Sequence, residues 1–347
     1  MKVLIYGNSY FRFNESVAAG FRDLDWEAVI LDYRDSRFSK TLSLNPYRKR
    51  KYRARFEEID RALVATVEAE KPDLFFTLSG NVLLPNRLEW LRQRGIKLIL
   101  YLLDSILTLP ITRRGLEYYD LVYTYEPIDI PLIAETNPRA SYLPPGYNPE
   151  FYRPLKSEEK IYDIVFVGTP YGERLEILDD LLRKAAELEL RIGLVGKYWH
   201  RGPRQQFFRL RYPGIYRHIL KNGIMPPREV NLLYNRSRIV LNHHFINDGT
   251  GVNPRLFDIA GSGSFQLVDE REHLERMFIP GQEVETYSSI DELVEKVLHY
   301  TGQPRRTAEI GRAAGERALR EHTYNHRVRR ILADLESPDR RRDPVGA

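Results

Sequence analysis

The chain alternates short apolar runs with longer stretches of helical periodicity, and this alternation is interrupted once and then begins again. Most apolar runs of the first part end at a glycine or a polar residue, as the strands of βα units do. The predicted strands are residues 2–6, 28–31, 74–78, 98–103, 121–124, 161–167, 191–195, 223–225, 239–242, 265–268 and 283–287. Helices are predicted between them and, at the end, over 291–300, 305–321 and 324–335. The pattern predicts an α/β fold of two doubly wound, Rossmann-like domains with a ligand cleft between them.

Residues 142–154 interrupt the alternation with four prolines and a glycine, a composition that excludes a helix interior and a central strand. This segment is predicted to be a rigid connector. It divides the chain into a first domain at 1–145 and a second at 146–323, followed by a segment at 324–347. That last segment is predicted as a helix that could pack back on the first domain and that ends in a frayed tail. Dehydrogenases and binding proteins share such a pattern, so the fold alone does not decide the function.

Composition excludes several classes of protein. With 53 basic and 48 acidic residues the net charge is +5, far below the charge density of a nucleic-acid binder, so no nucleic-acid partner is expected. The chain has no cysteine, which excludes disulfides, thiolate nucleophiles and zinc–cysteine sites. No apolar run approaches the ~20 residues of a membrane span, and no signal peptide is recognised. We therefore expect a cytoplasmic protein, with peripheral membrane contact through the basic stretches 48–55 and 201–218 as an open alternative.

The loop that follows the predicted strand 239–242 has the features of an anion site. It contains Gly249 and Gly251, and Asn253 has the form of an N-cap before a proline at the first helical position. Free backbone N–H groups and a positive helix end would then face a ligand. Arg255 in the first turn adds a bidentate donor suited to phosphate, and Asp258 one turn later could accept two hydroxyl hydrogen bonds, as on a ribose. The alternative is a surface ion pair between these last two residues.

A second glycine turn follows the predicted strand 161–167. Gly168 and Thr169 would let the backbone approach a ligand, and Arg174 begins the next helix, whose amino end would face the same place. Taken alone, an ordinary βα turn with a solvated arginine explains these residues equally well. The two glycine turns together, on one domain, favour a diphosphate ligand.

Four segments of the chain carry motifs in a fixed order. They are LPPGYNPEFYRP at 143–154, FDIAGSG at 257–263, FIPGQE at 278–283 with the residues that follow to 293, and EHTYNHR at 321–327. The ordered set resembles glycosyltransferases of the GT-B type, and most closely the CgeB-like (spore-maturation protein) branch related to glycosyltransferase family 4. The likeness covers nearly all of residues 140–332 and is diffuse before them.

The resemblance implies a nucleotide-sugar donor held by the second domain, as a substrate and with no cofactor, and an acceptor held by the first. The donor would be a UDP, GDP or dTDP sugar, hexosyl transfer would be the reaction, and the acceptor would be a glycan, a protein or a lipid-linked molecule. By position, Asp258 matches the acid that grips the donor ribose, and Arg174 matches a basic residue near the diphosphate. The loop beside the nucleobase corresponds to Gly223, Ile224 and Met225.

One position departs from the family pattern. Family 4 enzymes usually carry a glutamate eight positions before the ribose acid, and Thr250 stands there instead. Contacts to the sugar would then come from Thr250, Asn253 or loop amides, and one histidine of the His243-His244 pair would hydrogen-bond the donor sugar or the loop. Adjacent histidines share one metal ion poorly, and no Asp-x-Asp pair stands in the right place, so a metal-independent reaction is expected.

Catalysis needs stabilisation of the leaving diphosphate and, for inversion, a base for the acceptor hydroxyl. Arg174 and Arg255 are the candidates for the first task. Asp104, which ends a very apolar strand, is the candidate base; an N-cap for the segment beginning at Ser105 is the equal alternative, and Glu126 is second choice. Two residues at the end of the first strand, Gly7 and Asn8, are candidate substrate contacts. A non-catalytic GT-B scaffold and a sugar-nucleotide epimerase remain alternatives.

Overall fold

The computed structural model describes residues 1–7, 12–33, 46–156, 158–169, 173–184, 186, 189–197, 203–244 and 250–337 of the chain. In these ranges the chain forms two compact units. Unit 1 comprises Met1–Pro144 together with Tyr324–Ala347, and unit 2 comprises Pro145–Thr323. No helix in the described ranges has the length and the apolar composition needed to cross a bilayer.

Unit 1 is built on a six-stranded parallel sheet with the order β2-β1-β3-β4-β5-β6. The strands are β1 (Lys2–Gly7), β2 (Glu27–Asp32), β3 (Leu74–Leu78), β4 (Lys97–Leu102), β5 (Leu121–Thr124) and β6 (Ala140–Tyr142). Its helices are α1 (Phe13–Arg22), α2 (Pro46–Glu70), α3 (Pro85–Arg92), α4 (Pro110–Arg113), α5 (Ile130–Ala134) and, from the end of the chain, α14 (Tyr324–Glu336). The central strands are buried along nearly their whole length because helices cover both faces of the sheet.

Unit 2 repeats the architecture with the strand order β12-β11-β10-β7-β8-β9, again parallel. Its strands are β7 (Tyr162–Val167), β8 (Ile192–Gly196), β9 (Ile219–Asn222), β10 (Ser237–Asn242), β11 (Gln266–Asp269) and β12 (Glu285–Tyr287). Its helices are α6 (Glu173–Lys184), α7 (Pro203–Arg211), α8 (Pro213–Arg217), α9 (Pro227–Asn235), α10 (Pro254–Gly261), α11 (Leu274–Met277), α12 (Ile290–Thr301) and α13 (Pro304–Glu321). The predicted α/β class with two doubly wound sheets is confirmed.

Two strands differ from the prediction. The predicted strand 223–225 is wrong: the strand is β9, and it ends because Gly223 has a φ of 143°, which side-chain-bearing residues rarely adopt. The edge strand β6 was not predicted. It has three residues and runs directly into the prolines, so its apolar pattern is too short to be recognised.

Helix α14 belongs to unit 1 although some 180 residues of unit 2 separate it from β6 in the sequence. It packs on α1, where Val328 and Ile331 lie in one apolar cluster with Val17. A Cβ on Gly20 of α1 would lie 2.9 Å from the backbone oxygen of Tyr324, so the two helices approach as closely as their backbones allow. The end of the chain thus completes the core of unit 1.

Candidate functional site

The candidate site of unit 2 lies where the loops after β7 and β10 leave the sheet. These strands are hydrogen-bonded neighbours at the centre of the sheet. From β7 the chain moves outward to β8 and β9 on one side, and β10 returns to the other side. This change of direction is the switch point at which ligands bind in open α/β sheets.

The start of α10 has the predicted cap. Asn253 Oδ1 accepts a hydrogen bond from the N–H of Leu256 at 3.1 Å, and Pro254 occupies the first helical turn. The Asn253 amide also donates to Asn242 Oδ1, at the end of β10, at 2.9 Å. The first turn of α10 is therefore fixed to the strand that precedes its loop.

His244 and Asp269 fix the start of α10 through a chain of hydrogen bonds. His244 Nε2 accepts the backbone N–H of Asn253 at 2.9 Å, and His244 Nδ1 donates to Asp269 Oδ1 at 2.8 Å. One imidazole cannot do both unless it is neutral, with its proton on Nδ1. Burial lowers the pKa of His244 and so favours that form. Burial opposes ionisation of Asp269, but the hydrogen bonds that it accepts from the side chain and the backbone N–H of His244 outweigh burial and hold the Asp269 pKa well below its usual range.

Arg255 joins the two glycine turns. Its Nη1 donates to Asn242 Oδ1 at 2.9 Å, and its guanidinium lies 5.5 Å from the ring centre of Phe166. A Cβ on Gly168 would stand 2.7 Å from Arg255 Nη2, so the guanidinium occupies space that only a glycine leaves open. The loop after β7 and the first turn of α10, which the sequence marks separately, therefore meet at this arginine.

Asp258 lies one turn further along α10 and is partly buried. Burial raises its pKa to about 8, against the lowering effects of the Arg255 charge and of a hydrogen bond from Tyr152. Arg255 and Asp258 do not form an ion pair within 4 Å among the described residues; Arg255 instead bonds to Asn242. The surface ion-pair alternative is therefore excluded, and the carboxyl has a tyrosine hydroxyl as its partner.

Arg174 bridges the same two loops. Its Nε donates to the carbonyl oxygen of His243 at 3.0 Å and its Nη1 to that of Thr169 at 3.3 Å. His243 Nδ1 lies 2.8 Å from the hydroxyl of Tyr287, and burial lowers the His243 pKa to about 4, so the ring is neutral near pH 7. His243 Nε2 is buried with no hydrogen-bond partner among the described residues.

The other predicted donor contacts are more scattered. Gly223 and Ile224 follow β9, with Ile224 exposed over 68% of its surface, whereas Met225 packs against an apolar cluster. Gly251 is buried and Thr250 partly buried, just before the α10 cap. Asn8 and Gly249 lie outside the described residues.

The predicted residues of unit 1 lie at its own strand ends. The carbonyl of Gly7, the last residue of β1, accepts a hydrogen bond from Asn14 Nδ2 at 3.0 Å. Asp104 is exposed, two residues beyond β4. The cap of the following turn is Ser105, whose Oγ accepts from the N–H of Leu107 at 3.3 Å, so Asp104 is not that N-cap. The Ser105 hydroxyl donates a hydrogen bond to Asp129 Oδ1 at 2.9 Å.

Sequence reasoning missed four residues that build the unit 2 site: Tyr152, Asn242, Asp269 and Tyr287. Asn242 and Asp269 are the last residues of β10 and β11, so the rule that polar strand ends mark a site could have found them. Tyr287 also ends a strand, β12, so the same rule could have found it, whereas Tyr152 lies in the connector and carries no such signal. In the described ranges no group of three or more histidine and carboxylate side chains is placed to hold a metal ion.

Comparison with known proteins gives one family match. Residues 174–333 match the sequence model described as glycosyl transferase-like. The spore protein CgeB of Bacillus subtilis (strain 168) is 22% identical over an alignment of 290 residues, and the match covers 77% of this chain and 84% of that protein.

Solved structures extend the likeness to the whole chain. Sucrose-phosphate synthase from Thermosynechococcus elongatus matches with a TM-score of 0.66 at 12% identity, over 97% of this chain and 99% of that one. Anabaena Alr3699/HepE, solved in complex with UDP, matches with a TM-score of 0.64 at 14% identity, over 96% of this chain and 100% of that one. The resemblance that the ordered motifs indicated is thus confirmed: the chain is similar to the spore protein CgeB, it has the fold of GT-B glycosyltransferases, and its residues 174–333 match the glycosyl transferase-like family.

Proposed function

We propose that the chain is a glycosyltransferase that moves a hexosyl group from a nucleotide sugar to an acceptor hydroxyl. The observation that carries the proposal is the position of Arg255. This side chain extends from the capped start of α10 and lies over Gly168, so helix amides and a guanidinium converge beside a glycine turn. Such a place suits a diphosphate. Asp258, one turn further on, would then contact the attached ribose.

Each part of the donor has a candidate contact in unit 2. The diphosphate would lie between the α10 amino end, Arg255 and Arg174, and the ribose hydroxyls would bond to Asp258. The sugar would contact the buried Nε2 of His243 or the Thr250 region, and the nucleobase would lie beside residues 223–225. Because Alr3699/HepE was solved with UDP and with UDP-glucose, we propose a UDP-hexose as the donor.

The reaction would break the bond between the anomeric carbon and the diphosphate oxygen, which leaves with the electron pair. The acceptor oxygen bonds to the same carbon and loses its proton. The developing negative charge on the diphosphate would be met by Arg255, Arg174 and the helix dipole of α10, which can do this work without a metal ion. We propose that unit 1 binds the acceptor, a glycan, protein or lipid-linked molecule, and that Asp104 receives the proton.

A nucleotide titration tests donor binding. The melting temperature of the chain is followed with UDP, GDP and dTDP, each with and without a divalent ion and a chelator. A ligand at 100 times its dissociation constant stabilises the folded chain by about 2.7 kcal/mol, so a bound nucleotide gives a clear upward shift. We expect UDP to give the largest shift and the chelator to leave it unchanged. The absence of a shift with every nucleotide would falsify the proposal.

Turnover separates a transferase from the two alternatives. Release of UDP from UDP-hexose is measured with and without a panel of glycan, peptide and lipid-linked acceptors. A transferase requires the acceptor, and Asp104→Asn should slow release while leaving the UDP-induced melting shift intact. Binding with no release across the panel would favour a non-catalytic scaffold, and conversion of the donor sugar with no acceptor present would favour an epimerase.

A further inference from the structure

Helix α7 of unit 2 exposes two large apolar side chains. Phe207 is 70% exposed and Leu210 is 81% exposed, the largest value for any large hydrophobic residue that the structure describes. The two are three positions apart and therefore share one face of the helix. The helix is nevertheless anchored, because Phe208 is buried in the core of unit 2 and its ring lies 5.3 Å from that of Tyr212.

The same segment carries positive charge that no acidic residue within it balances. Residues 203–217 contain Arg204, Arg209, Arg211 and Arg217 and no acidic residue. None of the four forms an ion pair with a carboxylate of the described residues. Arg209 and Arg211 instead lie over the rings of tyrosines in the same segment, at 5.3 Å and 4.9 Å.

Helical spacing puts cations beside the apolar pair. Arg204 and Arg211 are seven positions apart, so they project on nearly the same side of α7, next to Phe207. The exposed surface is thus a convex ridge with apolar tips and guanidinium groups along its flank. A protein partner would need a groove matched to this ridge. An anionic bilayer needs none, because lipids rearrange around apolar tips while their phosphates meet the cations.

We propose that α7 is a membrane-docking helix, with Phe207 and Leu210 inserted at the acyl boundary and Arg204 and Arg211 bound to anionic phospholipid headgroups. None of these four residues is among those proposed to hold the donor. The role of α7 therefore stands whether or not the chain transfers sugar.

Co-sedimentation of the full chain with vesicles tests the proposal. We expect binding to phosphatidylcholine vesicles containing about one-third phosphatidylglycerol, and at least about tenfold weaker binding to phosphatidylcholine alone or at high salt. Phe207→Ser with Leu210→Ser should lower the partition coefficient at least about tenfold. Arg204→Gln or Arg211→Gln should each lower it about fivefold, the factor that corresponds to about 1 kcal/mol per cation.

Matched controls use the same unit and the rival basic segment. Leu298→Ser with Leu319→Ser removes two exposed leucines from α12 and α13 and should leave binding unchanged. Arg53→Gln with Arg55→Gln in α2 should also leave it nearly unchanged. All variants should keep the melting temperature of the original chain, which distinguishes lost docking from misfolding.

A fluorescent label reports insertion directly. Because the chain has no cysteine, Phe207→Cys accepts a single environment-sensitive dye without background labelling. Its emission should rise and shift to the blue on anionic vesicles, whereas a dye at Leu319→Cys should not respond. No binding to anionic vesicles, binding that survives loss of both apolar side chains, or binding that depends on α2 instead would each overturn the proposal.

Discussion

At the residue scale, the proposed diphosphate site depends on the close contact between Gly168 and Arg255. The guanidinium keeps its position only because residue 168 has no side chain. The sequence predicts that the backbone at Gly168 approaches a ligand, and the side chain next to it in the structure is Arg255, which would bind that ligand. A methyl group at position 168 would compete with the guanidinium for the same space. Because the displaced atom is the end of a flexible side chain, the arginine can move without disturbing the core.

The variant Gly168→Ala is therefore expected to damage binding more than folding. Displacement of one charged hydrogen-bond donor corresponds to about 1.5–3 kcal/mol, or a loss of UDP affinity of about tenfold or more. The free energy of unfolding should change by less than about 1 kcal/mol. Calorimetric titration with UDP and chemical denaturation measure the two quantities. Gly214→Ala, whose added methyl would meet no atom closer than 3.8 Å, is the control: it should leave UDP affinity unchanged, and because Gly214 lies in α8 it should stabilise the chain by at most about 1 kcal/mol. A Gly168→Ala chain with full UDP affinity would show that Arg255 does not act there.

The carboxyl of Asp258 predicts a pH dependence. Burial raises its pKa from 3.8 to about 8, so between these values the native chain holds a proton that the unfolded chain releases. The free energy of unfolding therefore falls as pH rises from about 4 to about 8 and stops falling above it. Asp258→Asn cannot titrate. Its melting temperature, relative to the original chain, should rise over this range and then stay level, while UDP affinity falls. A difference in melting temperature that does not vary with pH would contradict the raised pKa.

At the element scale, α10 shows what sequence reasoning could and could not provide. The beginning of this helix follows from Asn253-Pro254, because cap and proline are local signals. Its support does not, because Asp269 comes 25 positions after His244 and reaches it only through the pairing of β10 with β11. Tyr152 could not be recognised either, because its hydrogen bond to Asp258 joins the connector to a helix that comes about one hundred positions later in the chain. Local chemistry was readable from the sequence, whereas partners set by strand order were not.

The histidine–aspartate support of α10 can be tested by removing the acid. In Asp269→Ala, His244 loses the acceptor that fixes its proton on Nδ1, so its Nε2 no longer reliably accepts the N–H of Asn253. We expect destabilisation of about 2–4 kcal/mol, since several buried hydrogen bonds to a charged group are lost, together with weaker UDP binding. Asp180→Ala, which removes an exposed helix-surface ion pair, is the control and should change stability by less than about 1 kcal/mol. If the two substitutions lowered the free energy of unfolding equally, the buried pair of His244 and Asp269 would not stabilise the start of α10.

At the scale of the whole molecule, the two sheets were predictable because the central strands, such as β3 and β4, are apolar runs buried on both faces and bounded by polar residues. The packing position of α14 was harder to predict from the sequence. Its helical period gives an apolar face but not the surface that covers it. The surface is α1, and the decisive feature is Gly20, which no local rule distinguishes from a weak point inside a helix. Such close approach depends on two segments some three hundred positions apart.

Gly20→Ala tests whether unit 1 depends on this contact. Alanine favours a helix more than glycine does by about 1 kcal/mol, yet its methyl would press on the backbone oxygen of Tyr324 at 2.9 Å, and a backbone cannot step aside as a side chain can. We expect a net destabilisation of about 1–3 kcal/mol confined to unit 1. Calorimetry with and without UDP separates the units, because a nucleotide bound to unit 2 should raise only the transition of that unit. Gly20→Ala should lower the other transition and leave the UDP response intact. If Gly20→Ala were as stable as the original chain, α14 could shift to make room for the methyl group. If the variant lost the UDP response, unit 2 would depend on the packing of α14.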